Sequence, residues 1–198
     1  APGTDRRTGL VIGNCQAESL RLALGEELDL VRTPPVHELV ASDVPHLQQW
    51  LARSQVLITQ PVRDDYHALP LGSRQLAAAL PGGARVVRIP VIRFAGLYPA
   101  HAIVRPPSDP SLTPPLVAYH DLRVLAEAAG LTVGSAISVD AVRAIARESI
   151  GQLQRREQAH ETVTVSDLFA RPRFEQMRTL NHPGNAVWSV LAERVGDA

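Results

Sequence analysis

Residues 10–24 read LVIGNCQAESLRLAL and set the pattern for the rest of the chain. Leu10-Val11-Ile12 is a short apolar run of the kind that forms a buried strand. The polar residues Gly13 to Gln16 follow it directly, and Ala17 to Leu24 then places leucines on or near one side of a helix. A strand, a tight polar turn and a helix make up the first part of a βαβ unit.

The same alternation continues through the first half of the chain. Further strands are predicted at Leu28–Val31, Val56–Thr59 and Arg85–Ile92, with helices at Val44–Ala52 and Arg74–Leu80 between them. Strands that alternate with helices indicate a parallel sheet covered by helices on both faces. We therefore predict an α/β fold in one domain, residues 1–198, with ligands at the carboxyl ends of the strands.

The second half begins with a proline-rich segment, residues 105–118, that cannot form regular structure. It is interpreted as an ordered surface excursion or a lid, and a plain linker is an equally open alternative. Beyond it the pattern predicts helices in four places: Tyr119 to Ala129 ending at Gly130, a long helix capped by Ser138 or Asp140 and running to about His160, a short helix opened by Ser166-Asp167, and Ala186 to Val195.

Composition excludes several classes of protein. The chain has 198 residues, 20 basic residues that are all arginine, 20 acidic residues and one cysteine. Zero net charge argues against a nucleic-acid coat, and the lack of lysine excludes Schiff-base chemistry. A single cysteine excludes an internal disulfide and multi-cysteine metal sites. Histidine spacing indicates no metal site, and no glycine-rich nucleotide loop is present.

Localisation is predicted from what the sequence lacks. Ala1 to Thr8 is polar, without the apolar run of a signal peptide. No segment approaches the roughly 18 consecutive apolar residues of a membrane span. We expect a cytoplasmic protein.

Cys15 is the candidate nucleophile because of its position at a strand-to-helix turn. Unpaired N–H groups at a helix N-terminus favour a thiolate and can hold a developing oxyanion. Gly13 is expected to let the backbone turn sharply, and Asn14 and Gln16 offer amide donors on either side. The alternative is an inert buried cysteine, since free cysteine often packs as a small apolar residue.

A thiol nucleophile needs a base, and histidine is the usual one. Among the seven histidines, His182 stands out because Asn181 and Pro183 hold it in a rigid turn ahead of the last helix. His67 and His101 follow strand ends and are further candidates. Solvent exposure is expected for the rest that lie in polar or charged segments, namely His37, His46 and His160.

These motifs together resemble one protein family. Gly13-Asn14-Cys15-Gln16 near the start and Asn181-His182-Pro183 near the end are similar to motifs of the WcbI-type polysaccharide biosynthesis family. Its members are described as acyltransferases of capsule assembly that bind coenzyme A, and they are distantly similar to SGNH hydrolases. The resemblance covers roughly residues 8–192 and includes further segments: Thr59 to Val62 with Asp65-Tyr66, Arg88 to Pro90, Gly96 to Pro99, Arg155 to Glu157, Ser166-Asp167 and Phe174.

The SGNH comparison implies a three-layer fold with a helical C-terminal part, and it assigns roles to individual residues. Cys15 stands where those hydrolases carry serine, with its own N–H in the oxyanion hole, and Asn14 stands in place of their aspartate. His182 stands where they carry the catalytic histidine. Two features depart from the pattern. Thr179 occupies the position of the usual orienting aspartate. The usual oxyanion residues are not evident, and Gln60 is the expected substitute. A thiol needs an orienting acid less than a hydroxyl does.

Coenzyme A phosphates would have to be bound by arginine in a chain without lysine. Arg63, Arg88 and Arg93 follow strand ends, and the planar guanidinium binds phosphate bidentately. For each of them a solvated side chain or a surface ion pair is the alternative. Tyr66 and Tyr98 are candidates for stacking on adenine or a sugar, whereas Trp188 is expected to pack in the core.

The resemblance and the motifs together predict an acyltransferase. It would move an acyl group from acyl-coenzyme A to a hydroxyl of a glycan or another small molecule through Cys15 and His182, without a metal. The alternatives are an esterase or thioesterase on the same site, and a non-catalytic module that binds coenzyme A or a glycan. The sequence also leaves open whether the protein forms a homo-oligomer.

Overall fold

The structure is a computed structural model and describes residues 7–25, 28–109, 112, 114–134 and 136–198. Its strands are β1 Thr8–Ile12, β2 Asp29–Val31, β3 Val56–Thr59, β4 Arg85–Arg88, β5 His101–Ala102, β6 His120–Asp121, β7 Met177–Thr179 and β8 His182–Pro183. Its α-helices are α1 Gln16–Ala23, α2 Val44–Leu51, α3 Ser73–Ala78, α4 Leu122–Ala128, α5 Val139–His160 and α6 Asn185–Asp197.

A four-stranded sheet in the order β2-β1-β3-β4 forms the centre of the molecule. All three strand pairs are parallel, and Leu10 pairs with Val31 on one side and with Leu57 on the other. Because the strands are parallel, their carboxyl ends meet at one edge. Gly13 and Gln60 continue β1 and β3 beyond that edge, where an open α/β fold places its ligands.

Helices cover both faces of the sheet. Val11 and Ile58 point into a core shared with Leu20 of α1, Leu153 of α5 and Leu191 of α6. The residues next to them in the strands point the other way. Leu10, Ile12 and Leu57 belong to a second core, together with Leu47 of α2 and Leu76 of α3. This alternation of side chains confirms the predicted α/β fold with a parallel sheet between two helical layers.

Two predicted boundaries were wrong for identifiable reasons. β4 ends at Arg88 rather than Ile92, because Pro90 has no N–H and the Ile92 N–H instead donates to Gln16 Oε1 at 3.0 Å. α4 begins at Leu122 rather than Tyr119, because the Asp121 carboxylate accepts the Arg123 N–H at 2.9 Å and so caps the helix there. Tyr119 is thereby left outside the helix.

The C-terminal half packs against the sheet through α5. Ser138 caps this helix as predicted, since its hydroxyl accepts the Ala141 N–H at 3.1 Å. The chain after β4 runs back along α5: the Val163 N–H donates to Arg88 O, and the Ala95 N–H donates to Ser149 Oγ. This antiparallel course brings residues 89–99 from the sheet edge towards the β7–β8 hairpin.

The proline-rich segment has no helix or strand among its described residues, and residues 110, 111 and 113 lie outside them. Its interpretation as a lid or a linker stays a prediction. Residues 1–6 of the polar N-terminal stretch also lie outside the described residues. In the part of the chain that is described, no helix is both long and apolar enough to cross a membrane.

Candidate functional site

Cys15 lies at the carboxyl edge of the sheet, between β1 and α1. It occupies the position just before the first residue of α1, and the residue is exposed. The Ala17 N–H donates to Asn14 O at 3.0 Å, which closes the turn that carries the thiol. The strand-to-helix turn predicted from the sequence is therefore present, and it presents the only cysteine of the chain to solvent.

Three amide side chains, Asn14, Gln16 and Gln60, fix this turn, and we call them the amide cluster. Gln60 Oε1 accepts the Asn14 N–H at 2.8 Å, and Gln60 Nε2 donates to Gln16 Oε1 at 3.2 Å. Asn14 Oδ1 accepts the Gln16 N–H at 2.9 Å. Gln16 and Gln60 are each only 2% exposed, so their amide groups serve protein partners rather than a ligand.

Gly13 is required by the amide cluster rather than by the sharpness of the turn. A Cβ at Gly13 would lie 2.5 Å from Gln60 Oε1, closer than any side chain tolerates. Its φ is not in the left-handed region, where Gly25, Gly83 and Gly130 lie. The turn at Gly13 therefore needs no backbone conformation reserved for glycine, and close approach of Gln60 is the physical reason for a glycine here.

His182 comes to the same edge from the opposite end of the chain. It begins β8 and pairs with Thr179 of β7 in a short hairpin. Gln16 Nε2 donates to Asn181 O at 2.8 Å, which ties this hairpin to the first turn of α1. The result is a distance of 3.9 Å between Cys15 Sγ and His182 Nε2. The structure thus brings together the two residues predicted as nucleophile and base.

The other ring nitrogen of His182 faces two hydroxyl groups. His182 Nδ1 lies 2.7 Å from Tyr119 Oη and 2.8 Å from Thr179 Oγ1. Tyr119 Oη also donates to Asn181 Oδ1 at 2.7 Å. We call Tyr119, Thr179 and Asn181 the hydroxyl cluster. Thr179 therefore contacts the histidine from the position where the hydrolases carry an aspartate, although it brings no charge.

The hydroxyl cluster was only partly visible in the sequence. Asn181 was singled out beside His182, and Thr179 was noted only as a departure from the hydrolase pattern. Tyr119 was missed altogether, because it was assigned to a helix that begins three residues later. It is 63 positions from His182 in sequence, and no local motif connects the two.

The thiol of Cys15 is not activated by its surroundings alone. Although the residue as a whole is exposed, partial burial of the sulfur raises the pKa of Cys15; its own backbone N–H lowers that pKa, and the negative charge of Glu38 raises it. The first of these effects is the largest, so the net direction is upward. The sequence had led us to expect a thiolate favoured by the helix N-terminus. In the structure, desolvation of the sulfur outweighs the backbone N–H, so the pKa of this thiol is raised rather than lowered.

Two cavities that share Arg63 contain predicted binding residues, and the smaller one includes Asn14, the neighbour of Cys15. The first, about 170 Å³, is lined by Asn14, Gln60, Arg63 and Tyr66 among others. A cavity of about 500 Å³ is lined by Arg63 as well, together with Arg88. Arg88 is paired with Glu161 at 3.3 Å, whereas within the described residues Arg63 pairs with no carboxylate. Arg63 and Tyr66 therefore lie together near the candidate nucleophile.

Arg93 and Tyr98 lie elsewhere. The Arg93 side chain is exposed and lines none of the cavities described here. Tyr98 Oη donates to Met177 O at 3.1 Å and to Arg178 O at 2.8 Å, so its hydroxyl supports β7. Its ring stacks on His101, with the ring centres 5.2 Å apart. Trp188 packs in the core as predicted, with 7% of its surface exposed.

The remaining histidines are separate from Cys15. Those expected in solvent are exposed, namely His37, His46 and His160. His67 is exposed and packs edge-on against Tyr66. The ring centres of His101 and Tyr119 lie 6.4 Å apart, so Tyr119 stands between His101 and His182. Among residues 7–25, 28–109, 112, 114–134 and 136–198, no group of three or more His, Cys, Asp or Glu side chains is placed to hold a metal.

Comparison with known proteins gives the family. A sequence model described as "Polysaccharide biosynthesis enzyme WcbI" matches residues 8–198. A solved structure of WcbI is similar, with a TM-score of 0.81, 21% sequence identity, and coverage of 96% of this chain and 68% of that one. That structure is described as the native protein without a disulfide bond between coenzyme A and a cysteine. No protein with a curated description matches this sequence. The resemblance drawn from the motifs is thus confirmed, and the chain belongs to the WcbI family of polysaccharide biosynthesis enzymes.

Proposed function

We propose that this enzyme transfers an acyl group from acyl-coenzyme A to a hydroxyl group of a glycan or another small molecule, with Cys15 as nucleophile and His182 as base. The observation that carries the proposal is the distance of 3.9 Å between Cys15 Sγ and His182 Nε2. It is a long hydrogen-bond distance even for sulfur, as is usual for a catalytic pair without substrate. The cysteine of the similar WcbI structure, named together with coenzyme A, supports the choice of donor.

The tautomer of His182 follows from the hydroxyl cluster. Asn181 Oδ1 accepts the proton of Tyr119 Oη at 2.7 Å, which leaves the lone pairs of that oxygen facing His182 Nδ1. Nδ1 therefore carries the proton and donates it to Tyr119 Oη and Thr179 Oγ1, and Nε2 is left unprotonated towards the thiol. Two neutral oxygens thus do the orienting work that an aspartate does in a catalytic triad.

The first half-reaction uses this tautomer. Acyl-coenzyme A supplies a thioester, whose carbonyl carbon is the electrophile. His182 Nε2 takes the proton of Cys15, and the thiolate attacks that carbon. As the tetrahedral species collapses, His182 returns the proton to the leaving sulfur, and Cys15 retains the acyl group as a thioester. One thioester replaces another, so the step is close to thermoneutral and needs no further reactant.

The second half-reaction transfers the acyl group onward. His182 Nε2 accepts the proton of the acceptor hydroxyl, whose oxygen attacks the acyl-cysteine carbonyl. The Cys15 sulfur leaves and recovers the proton from His182, which restores the starting state. Direct attack of the acceptor on acyl-coenzyme A, with His182 as base, is the competing route and leaves no acyl-cysteine.

The oxyanion in both steps is assigned to two donors near the thiol. The backbone N–H of Cys15 faces its own sulfur at the start of α1. Asn14 contributes its amide nitrogen, because its oxygen is the atom that accepts the Gln16 N–H. Gln60 was predicted for this role, but its Nε2 already donates to Gln16 Oε1 and to Pro90 O, at 3.2 and 3.4 Å. We assign Gln60 to positioning the turn instead.

Charge supports coenzyme A on the Asn14 side of the site. In the larger cavity Asp64 and Glu161 pair with Arg74 and Arg88, which leaves the charge of Arg63 available. Arg63 lines both cavities there, of about 170 and 500 Å³, and within the described residues it has no carboxylate partner. A guanidinium without a partner is suited to bind a phosphate bidentately. Tyr66 lies in the smaller cavity and offers a ring face for stacking.

The test measures the release of free coenzyme A from acetyl-coenzyme A, which a thiol reagent detects. It is run with and without a hydroxylated sugar as acceptor. We expect release to depend on the acceptor and to fall at least about a thousandfold in Cys15→Ala, because the covalent route is lost. Fast release without acceptor would support a thioesterase instead. Full turnover in Cys15→Ala would contradict the covalent mechanism and support direct transfer.

A further inference from the structure

A separate cavity of about 640 Å³ lies between α1 and α6, next to His182. Its lining includes Ser19, Arg178, Thr179, His182 and Ser189. It shares no residue with the two cavities that contain Arg63. His182 thus borders a space that is distinct from the cavities proposed for coenzyme A.

The lining of this cavity contains basic side chains and no acidic ones. Its lining contains Arg178 and His182 but no aspartate or glutamate. Arg178 Nη2 donates to the neutral amide Oδ1 of Asn185 at 2.9 Å, and no carboxylate of the described residues pairs with it. By contrast, Arg194 binds Asp167 through both of its terminal nitrogens. An arginine held in place by a neutral amide keeps its charge available for an anion.

The start of α6 adds to this positive potential. The helix has 13 residues and begins at Asn185, which lines the cavity. Gly184 precedes it and has no side chain to cap the first N–H groups, and no acidic residue lies in the first turn. Such a helix end favours a negative charge. It is independent of the guanidinium, and both lie at the same cavity.

The rest of the lining fits a molecule with many hydroxyl groups. Ser19 and Ser189 offer hydroxyls that donate and accept, and Leu22 offers an apolar surface that is 64% exposed. Polar groups beside an apolar wall are typical of a site that binds a ring with hydroxyl substituents. The position of His182 in the same wall places such hydroxyls beside the candidate base.

We propose that this cavity binds the acyl acceptor, and that the acceptor is an acidic sugar whose carboxylate or phosphate group is bound by Arg178. That the bound sugar is the acyl acceptor rests on the proposed acyl transfer. The binding of an acidic sugar does not depend on it. A hydroxyl of the bound sugar then lies on the His182 side of the cavity.

The test compares three sugars that differ in charge: glucuronic acid, glucose 6-phosphate and glucose. Binding to the full chain is measured by nuclear magnetic resonance titration, for wild type, Arg178→Gln and Arg147→Gln. Arg147 is the control because it is an exposed arginine on α5 and lines none of these cavities. We expect the two acidic sugars to bind at least about tenfold more tightly than glucose, an advantage that Arg178→Gln loses and Arg147→Gln keeps.

Coenzyme A affinity is measured by calorimetry on the same three proteins. It shows whether Arg178 binds the acidic group of a sugar or a phosphate of coenzyme A. The proposal expects Arg178→Gln to bind coenzyme A as wild type does and to form the acyl-cysteine normally. Equal binding of the three sugars would overturn the proposal, and so would a selective loss of coenzyme A affinity in Arg178→Gln. Acidic-sugar binding without any acyl-cysteine in wild type would instead contradict the proposed function and leave the sugar site standing.

Discussion

Cys15 is held at the end of a central strand by buried amides, whereas His182 is held on a two-residue strand by hydroxyl groups near the surface. The amide cluster is built from residues next to β1 and β3, and its two glutamines are 2% exposed. The hydroxyl cluster joins Tyr119, which follows the proline-rich segment, to Thr179 and Asn181 of the hairpin, and all three are half-buried.

This difference has a physical consequence. A buried amide with every polar atom bonded is costly to displace, since each broken bond leaves an unsatisfied group. Half-buried hydroxyls can exchange protein partners for water at much lower cost. The nucleophile therefore has a fixed position, and the base is the member of the pair whose orientation is more easily changed. Single substitutions can perturb the two sides separately.

The largest effect is expected on removal of the base. His182→Gln should lower acyl transfer by about a thousandfold, because the thiol then has no group to take its proton. The fold should be retained, since the side chain is not part of either core. His160→Gln is the matched control, because His160 is exposed at the end of α5. The assay is acceptor-dependent release of coenzyme A, and activity of His182→Gln within a factor of a few of wild type would contradict the role.

Breaking the amide cluster should cost stability as well as activity. Gln16→Ala removes the bonds to Ile92 O, Ile92 N and Asn181 O, all between 2.8 and 3.0 Å. Two buried backbone groups of Ile92 and the half-buried carbonyl of Asn181 lose their partner, so we expect a loss of about 3 kcal/mol in the free energy of unfolding. Gln152→Ala, at an exposed amide on α5, should change it little. Urea unfolding followed by circular dichroism measures both.

The hydroxyl cluster should respond in the opposite way, with activity lost and stability retained. Tyr119→Phe removes one acceptor of the His182 Nδ1 proton, so we expect kcat to fall about tenfold while Thr179 still orients the ring. Tyr119→Phe with Thr179→Val should lower kcat about a hundredfold, because both acceptors are then gone. KM for acetyl-coenzyme A should stay the same in both.

Thr179→Ser keeps a hydroxyl at the same position and is the control for this pair. It should retain most of the activity in the presence of Tyr119. The loss in the double variant should appear in kcat, because the orientation and tautomer of His182 are no longer fixed. An unchanged kcat in the double variant would show that the cluster has no part in the reaction.

The smallest effect concerns the pKa of Cys15. The charge of Glu38 raises that pKa, so Glu38→Gln should lower it and increase the thiolate fraction at neutral pH. Because Glu38 is exposed and screened by solvent, we expect only about a twofold faster alkylation by iodoacetamide at low salt. In wild type the alkylation rate should keep rising above the pKa of a free cysteine, since burial raises the pKa of this thiol. Glu148→Gln, on α5, is the control.

The regular part of this molecule was predictable from local pattern. The runs at β1 and β3 are apolar and end in a glycine or a Gln-Pro pair, so both the strands and the ligand edge follow from short segments of sequence. The same signals placed Cys15 at its turn. β4 was drawn too long because Pro90, a local signal inside the predicted strand, was not taken as its end; the Gln16 contact to Ile92 is a distant one that no local pattern contains.

The irregular part was predictable only where a motif happened to lie. The motif Asn181-His182-Pro183 identified the candidate base. Tyr119, the partner of His182, lies 63 positions away in sequence. Nothing in the segment before α4 distinguishes this tyrosine from one that begins a helix. The role of Gly13 was missed for the same reason, since the atom that excludes a side chain belongs to Gln60.

The most direct test of the account is the mass of the intact protein after brief reaction with acetyl-coenzyme A and acid quenching, without acceptor. Cys15 is the only cysteine of the chain, so a thioester adduct can form at one residue alone. The account predicts one acetyl group, mapped to the peptide that contains Cys15, absent in Cys15→Ala and slow to form in His182→Gln. An unmodified wild-type protein that nevertheless acetylates its acceptor at full rate, with Cys15→Ala equally active, would contradict it.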